Sequence, residues 1–178
     1  MSKVEKMYKI CIFGDAGVGK TALTEKYLTG LFVKDTKITI GTNFYKKALS
    51  VKGITVVLQI WDFGGQYKEL FPKYIQGSSG GIFMYDLTRD FTLLHIKEWM
   101  IILKESIKAK IPILMVGGKA DLVEDRKTSK ELAEKFEKEY GFIDHIECSA
   151  KTGHNVDNIF TSLTLSILND FKMVRTYT

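Results

Sequence analysis

The chain has 178 residues, of which 45% are hydrophobic and 26% are charged, and its formal net charge is +5. This length and composition predict one globular domain, residues 1–178, and exclude a disordered or fibrous protein. No run of 18 apolar residues occurs, which excludes a membrane-spanning helix, and two cysteines are too few for a disulfide framework.

The distribution of the positive charge indicates which partners to expect. The lysines are scattered, and those at residues 46–47 and 104–110 are typical of solvated faces rather than of a nucleic-acid surface. We therefore expect no nucleic-acid partner. The first residues lack the apolar stretch of a signal peptide, and together with the low cysteine content this favours a reducing, cytoplasmic location, with peripheral membrane association left open.

The first predicted element is a buried strand over residues 8–13, and a phosphate-binding pattern follows it. Residues 14–21 read GDAGVGKT, or G-x-x-x-x-G-K-T, and a predicted helix comes next with Leu23, Tyr27 and Leu28 on one side. In such a loop the backbone N–H groups and the helix N-terminus attract phosphate, Lys20 reaches the β- and γ-phosphates, and the Thr21 hydroxyl holds Mg²⁺. The alternative is a chance match in an ordinary turn, which the flanking strand and helix disfavour. The pattern predicts a nucleoside-phosphate site.

Five further apolar runs predict strands over residues 44–51, 54–61, 81–87, 111–116 and 144–148. Lys52-Gly53, between the first two of these runs, is a hairpin-turn pair, so one strand is expected to lie antiparallel at the sheet edge. Strands that alternate with amphipathic segments favour an α/β fold with a mostly parallel sheet.

Three later segments predict helices. One apolar stripe runs from Leu93 to Ile107, and Trp99 beside it is expected to pack in or near the core. Thr128 and Glu131 form a capping-box pattern at the start of a charged helix that ends near residues 140–141. Residues 156–167 carry the apolar stripe of the last helix.

Residues 61–66, WDFGGQ, end a predicted strand with groups that suit a γ-phosphate. Asp62 is placed to hold Mg²⁺ through water opposite Thr21, the Gly65 N–H to contact the phosphate, and Gln66 to orient a water for in-line attack. Taken alone, these residues are equally typical of a strand end and a glycine turn. Thr39, in the loop before the second strand, is a weaker candidate for closing on Mg²⁺ and the γ-phosphate, because a threonine beside a strand is common.

Two more clusters follow predicted strands further along the chain. In residues 117–121, GGKAD, the Asp121 carboxylate can accept two hydrogen bonds from the N1 and N2 edge of guanine, while Lys119 covers the ring. Adenine offers no such pair of donors and would leave the carboxylate unpaired. Residues 149–151, Ser-Ala-Lys, follow the last strand, where a backbone N–H can meet the guanine O6.

With these motifs in this order and spacing, the chain resembles a small GTPase of the Ras superfamily over about residues 6–170. Residues 38–45, 59–66 and 74–88 are most similar to the Rab branch. The resemblance implies the P-loop NTPase fold called the G domain, an α/β fold with a six-stranded, mostly parallel sheet, one antiparallel edge strand and helices on both faces. It also implies that the chain binds GTP/GDP and Mg²⁺, hydrolyses GTP slowly, and has two switch loops that effector proteins read.

The resemblance also assigns roles to residues. The catalytic set is Lys20, Gly65 and Gln66, and the metal-binding set is Thr21, Thr39 and Asp62. The nucleotide-binding set is Asp15, Ala16, Gly17, Val18, Gly19, Lys20, Thr21, Ala22, Phe32, Thr39, Gly65, Lys119, Asp121, Ser149, Ala150 and Lys151. For Phe32, which the resemblance places at the guanine edge, a core aromatic at a helix end is the alternative.

The sequence departs from the family pattern at several positions. Gly118 stands where the family usually has an asparagine that contacts the base and the phosphate loop, so we expect about 1–2 kcal/mol weaker nucleotide binding and faster exchange. Phe63-Gly64 replaces the usual Thr-Ala, Thr36 replaces a tyrosine over the phosphates, and Ala16 replaces a glycine. The last five residues contain no cysteine, so no prenyl anchor is expected there.

The sequence therefore predicts a monomeric switch that hydrolyses GTP slowly, with an exchange factor and a GTPase-activating protein as partners. No arginine is obviously placed to assist catalysis within the chain, Arg89 and Arg126 being the nearest candidates, so the activating protein is expected to supply one. Two alternatives stay open. One is a nucleotide-binding scaffold with little hydrolysis, and the other is an ATP-dependent kinase, which Lys119 and Asp121 disfavour.

Overall fold

The computed structural model describes residues 5–34 and 37–176, with side chains over 6–34 and 37–170, so the role predicted for Thr36 and the end of the cysteine-free tail lie outside the described residues. Within this part there are six strands: Glu5–Phe13 (β1), Thr42–Val51 (β2), Ile54–Phe63 (β3), Gly80–Asp86 (β4), Ile113–Gly118 (β5) and His145–Glu147 (β6). The same part contains six α-helices: Lys20–Thr29 (α1), Phe71–Ile75 (α2), Asp90–Leu94 (α3), Ile96–Ser106 (α4), Lys130–Tyr140 (α5) and Val156–Thr176 (α6).

The strands form one mixed sheet in the order β2-β3-β1-β4-β5-β6. All neighbours pair in parallel except β2 and β3, which form an antiparallel hairpin at one edge. The hairpin turn is possible because Lys52 and Gly53 both have positive φ, 50° and 74°. The predicted fold class, including the antiparallel edge strand, is confirmed.

Helices cover both faces of the sheet, and each face has its own hydrophobic core. On one face α1 and α6 pack against β1, β3 and β4, with the rings of Tyr27 and Phe160 stacked at 3.8 Å. On the other face α2, α3, α4 and α5 pack over an aromatic cluster that includes Phe13, Phe71 and Trp99. Because five of the strands run parallel, their carboxyl ends present their loops at one common edge.

Two details of the predicted helices differ from the structure. The apolar stripe from Leu93 belongs to two helices, because α3 ends at Leu94 and α4 begins at Ile96. The capping box at Thr128 is wrong: Ser129 is the N-cap of α5, and its Oγ accepts a hydrogen bond from the backbone N of Leu132. Thr128 is buried instead, and its hydroxyl donates to the carbonyl of Leu87, since this segment packs against the end of β4.

None of the helices in the described part of the chain is long and apolar enough to cross a bilayer.

Candidate functional site

A groove runs along the carboxyl edge of the sheet and consists of two pockets that share Gly17 and Gly19. The small pocket, of about 100 Å³, lies over the start of α1 and is lined by Ala16, Gly17, Gly19, Lys20, Thr21, Lys37, Ile38, Thr39, Phe63, Gly64, Gly65 and Gln66. The large pocket, of about 410 Å³, is lined by Gly17, Val18, Gly19, Ala22, Phe32, Val33, Lys34, Met84, Lys119, Asp121, Leu122, Ala150 and Lys151. Most of the predicted site residues are thus brought together on the walls of one groove.

The loop between β1 and α1 forms the floor that the two pockets share. Gly14, Gly17 and Gly19 have φ values of 135°, 71° and 108°, a region that side chains with a Cβ rarely adopt. Gly19 is the N-cap of α1, so the first N–H groups of that helix have no partner within the helix. A loop of this kind, ending at a helix N-terminus, suits an anion.

Lys20 is buried at the bottom of the small pocket. Its Nζ donates to the carbonyl oxygens of Gly14, at 2.9 Å, and Asp15, at 2.6 Å. Burial lowers the pKa of Lys20 to about 8, against the opposing effect of the nearby carboxylates of Asp62 and Asp15. An anion in the small pocket would offset this desolvation of the ammonium group.

Beside Lys20, a buried carboxylate and two hydroxyls form a cluster of oxygens. The Thr21 hydroxyl donates to Oδ2 of Asp62 at 2.6 Å and lies 2.8 Å from the Thr39 hydroxyl. The other oxygen of Asp62, Oδ1, is buried and has no hydrogen-bond partner among the described residues. Burial raises the pKa of Asp62 to about 6, although the Thr21 hydrogen bond and the Lys20 charge lower it.

This cluster fits a hard cation. Mg²⁺ prefers oxygen ligands and usually combines one or two protein groups with water and substrate oxygens. The described residues contain no group of three or more His, Cys, Asp or Glu side chains that could hold a metal. The unpartnered oxygen of Asp62, next to two hydroxyls, is the feature that matches Mg²⁺.

The loops that carry Thr39 and Gln66 contact each other above the small pocket. The side-chain amide of Gln66 donates to the Thr39 carbonyl at 2.8 Å, and the backbone N of Gly64 donates to the Gly41 carbonyl at 2.8 Å. Gly65 lies against the β1–α1 loop so closely that a Cβ there would stand 2.2 Å from the carbonyl oxygen of Gly14. A change in the small pocket can therefore reach both loops.

Asp121 and Lys119, two polar residues of the large pocket, are already paired with other side chains. The Ser149 hydroxyl donates to Oδ1 of Asp121 at 2.6 Å, and Lys151 Nζ lies 4.0 Å from Oδ2. Lys119 Nζ lies 2.7 Å from the carboxylate of Asp86. Phe32 forms part of the opposite wall and is 38% exposed, so it is not a core residue.

One predicted side chain points away from the groove. The carboxylate of Asp15 accepts hydrogen bonds from Trp99 Nε1, at 2.9 Å, and contacts His95 Nδ1, at 2.5 Å, while Lys68 Nζ lies 3.7 Å away. Asp15 contacts Lys20 through its backbone carbonyl, not through its side chain. Trp99 is fully buried, in agreement with its predicted packing role, and its indole N–H also anchors the β1–α1 loop to α4.

Several wall residues were not predicted from the sequence, and Met84 is the most informative of them. Met84 is buried in β4, and its terminal methyl would lie 2.5 Å from a Cβ built on Gly118 and 3.4 Å from one built on Gly19. It therefore fills the space between Gly118 and Gly19. An apolar residue in an apolar strand gives no local sequence signal of a binding site. Lys37 and Ile38, which line the small pocket, could have been predicted from their position beside Thr39.

Comparison with known proteins agrees with the resemblance seen in the sequence. Residues 9–169 match the family model described as Ras family. The chain is 36% identical to Ras-related protein Rab-13 of Bos taurus over 166 residues, which are 92% of this chain and 81% of the relative. It is 34% identical to Ras-related protein RABA4b of Arabidopsis thaliana over 94% of this chain and 75% of the relative. It is 36% identical to Ras-related protein Rab-26 of Mus musculus over 88% of this chain and 61% of the relative.

Proposed function

The chain belongs to the Ras family, as a small GTPase of the Rab branch, and we propose that it is a switch in which the groove holds a guanosine phosphate with Mg²⁺. The observation that carries this proposal is the continuity of the groove. Gly17 and Gly19 lie on the walls of both pockets, so a ligand seated on this loop reaches Lys20 at one end and Asp121 at the other.

The two pockets suit the two ends of such a nucleotide. In the proposed arrangement the phosphates occupy the small pocket, where Lys20 and the N-terminus of α1 offset their charge. The guanine occupies the large pocket between Phe32 and Lys119, with Asp121 accepting from N1 and N2 of the base. The backbone of residues 149–151 meets the guanine O6. Ala22 and Val18 line the wall beside the sugar and phosphates.

Thr21, Thr39 and Asp62 are the residues that would hold Mg²⁺ in this site. Bound there, Mg²⁺ supplies positive charge that offsets the charge on the phosphate oxygens. The protein contributes the buried carboxylate of Asp62, one oxygen of which has no hydrogen-bond partner among the described residues. It also contributes the hydroxyls of Thr21 and Thr39, which lie within hydrogen-bonding distance of each other, and the Thr21 hydroxyl is oriented by Asp62.

Hydrolysis in this site depends on the residues around the small pocket. Lys20 and the Gly65 N–H stabilise the negative charge that develops on the phosphate oxygens, and Gln66 orients the attacking water after leaving the Thr39 carbonyl. No arginine is among the described residues that line the small pocket. We therefore propose that turnover is slow and that a GTPase-activating protein supplies an arginine, with acceleration by ~10³–10⁵ as in related systems.

The switch itself lies in the contact between the loops of Thr39 and Gln66. With a γ-phosphate present, Thr39 and Gly65 both contact it, and its loss releases both loops. Next to them lies an exposed apolar strip that includes Ile38, 77% exposed, and Ile40, 82% exposed. The strip continues through Phe44 and Trp61, whose ring centroids are 5.5 Å apart. We propose that effector proteins bury this strip and so read the state of the switch, and that an exchange factor acts on the same loops.

The biological setting follows from the family. Several relatives carry the name Rab, and we propose a role in vesicle trafficking for a monomer in which residues 1–178 form one domain. A cytoplasmic location is supported by Cys11 and Cys148, which are buried and unpaired. Contact with membranes would take place through partners.

A scaffold with little hydrolysis is the second candidate. It is favoured by the Gln66 amide, which is engaged by the Thr39 carbonyl rather than free to orient water. A single-turnover assay of phosphate release from preloaded GTP separates the two functions. We expect slow release from the wild type and release slower by about tenfold or more from Gln66→Leu, with GTP affinity unchanged.

Gln76→Leu is the matched control, because Gln76 is also exposed but lies beyond α2 and contacts the Ser106 carbonyl. Phosphate release from the wild type no faster than from GTP in buffer would instead favour the scaffold. Chromatography of the nucleotide that copurifies with the protein, against GDP and ADP standards, tests the base.

A further inference from the structure

Asp86, at the end of β4, is a buried carboxylate that binds two cations. Its Oδ2 accepts from Arg89 Nε at 2.9 Å and lies 2.7 Å from Lys119 Nζ. Its Oδ1 accepts from the backbone N and the hydroxyl of Thr88, at 2.9 and 2.7 Å. Burial alone would raise the pKa of Asp86, but the hydrogen bonds from Lys119, Thr88 and Arg89 together lower it. The group is therefore ionised at neutral pH and holds both cations in place.

The guanidinium of Arg89 also reaches the β1–α1 loop. Its Nη2 donates to the carbonyl of Ala16 at 3.3 Å, and a Cβ built on Gly17 would lie 3.5 Å from the same nitrogen. Gly17 is one of the two residues shared by both pockets. Arg89 thus contacts the loop that lines both pockets.

Together these contacts form a continuous link, Lys119–Asp86–Arg89–Ala16, between the loop after β5 and the loop after β1. One carboxylate with two cations leaves one positive charge in excess, and that charge is close to the phosphate loop. The residue that could have connected the two loops directly is Gly118, which has no side chain, and Met84 fills the space with an apolar group. The ion-paired link supplies a polar connection at this point.

We propose that Arg89 is a positioning residue for the nucleotide, holding the phosphate loop in register with the base loop through Asp86 and slowing nucleotide release. This proposal rests on the nucleotide position proposed above. If one nucleotide bridges both pockets, it dissociates more easily when the two loops can move independently. The excess positive charge of Arg89 also favours the di- and triphosphate over the empty loop.

The test measures release of a fluorescent GDP analogue, loaded with Mg²⁺ and chased with excess GDP, by stopped flow. We expect release from Arg89→Gln to be about five- to tenfold faster than from the wild type, the scale of one lost hydrogen bond. Arg89→Lys should fall between them, because it keeps the charge but cannot contact Asp86 and Ala16 with a forked group.

Arg126→Gln is the matched control. The side chain of Arg126 is 34% exposed against 33% for Arg89, and it also pairs with a carboxylate, that of Glu147, at 2.5 Å. Its other partner is the carbonyl of Thr128, so Arg126 does not contact the phosphate loop through these bonds. We expect its release rate to stay within about twofold of the wild type. In Arg89→Gln the release rate should also depend less on salt concentration than in the wild type, which mere loosening of the fold would not produce.

Equal release rates for Arg89→Gln and the wild type would overturn the proposal, as would equal acceleration in Arg126→Gln. If Arg89→Gln does not fold, Arg89→Lys is the deciding variant. A release rate and a salt dependence equal to those of the wild type in Arg89→Lys would also overturn the proposal. Failure of the wild type to take up the GDP analogue would overturn the proposed function itself, whereas normal uptake with no effect of Arg89 contradicts this inference alone.

Discussion

The two pockets of the groove differ in how far their polar groups are satisfied before any ligand binds. Among the described residues, the hydrogen bonds of Lys20 in the small pocket go to backbone carbonyls, and one oxygen of Asp62 has no hydrogen-bond partner. In the large pocket Asp121 is held by Ser149, and Lys119 by Asp86. The small pocket therefore holds buried charged groups whose desolvation a ligand of opposite charge would offset, whereas Asp121 and Lys119 of the large pocket are already held in place by other side chains.

The pockets also differ in how they are assembled. The small pocket is built on one continuous glycine loop, and two later loops close over it. The large pocket combines the segment after α1, strand β4 and the loops after β5 and β6. Met84 of the large pocket would meet a Cβ built on Gly118, so side chains from distant segments must fit together there.

The largest effect should come from Asp121, because it tests whether the large pocket selects guanine. In Asp121→Asn an amide donor faces the donors of guanine, so we expect GDP affinity to fall by ~10²-fold or more, while affinity for ADP changes little. Fluorescence titration with both nucleotides measures the effect. Asp125→Asn, an exposed aspartate in the same segment, is the control. An unchanged preference for GDP would mean that the large pocket does not hold the base.

A second test addresses Asp62, the buried carboxylate beside the small pocket that has one oxygen without a hydrogen-bond partner among the described residues. Since burial raises the pKa of Asp62 from 3.8 to about 6, ionisation of Asp62 opposes folding of the metal-free protein. This cost is absent below about pH 4, appears as pH rises, and is complete above about pH 6. Without metal and nucleotide, Asp62→Asn should be more stable than the wild type at pH 7 by as much as about 3 kcal/mol, and equal to it at pH 4.

Urea unfolding at the two pH values measures this difference, with the exposed Asp170→Asn as the control. The same variant should make GDP release insensitive to added Mg²⁺. A destabilised Asp62→Asn at pH 7, together with normal Mg²⁺ dependence, would contradict the role proposed for Asp62.

The smallest effect is expected at Gly118, which lies beside Met84 of the large pocket. A Cβ at this position meets the methyl of Met84 at 2.5 Å, so Gly118→Asn alone must displace Met84 before it can make new hydrogen bonds. We expect Gly118→Asn to slow GDP release by less than about threefold, and Gly118→Asn combined with Met84→Val to slow it by about tenfold. Met84→Val alone is the control. Slower GDP release from the wild type than from Gly118→Asn would contradict the weaker retention attributed to Gly118.

The sequence was sufficient for the small pocket because its signals are local. The motif at residues 14–21 depends on glycines whose positive φ values are required by the loop itself, and the alternation of apolar runs predicted all six strands. The strand ends were less accurate, since β1 and β3 are longer than their apolar runs. The capping of α5 was wrong because packing against Leu87 drew Thr128 into the interior and left Ser129 to cap the helix.

By itself, the sequence determined the fold class and the identity of most groove residues, because glycine geometry and apolar periodicity act between near neighbours. The order and spacing of its motifs determined the family resemblance, which implies guanosine-phosphate chemistry. Only the tertiary structure decided that Met84 fills the gap beside Gly118, that Asp15 turns towards Trp99, and that Arg89 joins Asp86 to the phosphate loop. Each of these contacts depends on the order of strands in the sheet and on packing between elements far apart in the chain. Short-range sequence patterns do not encode such contacts.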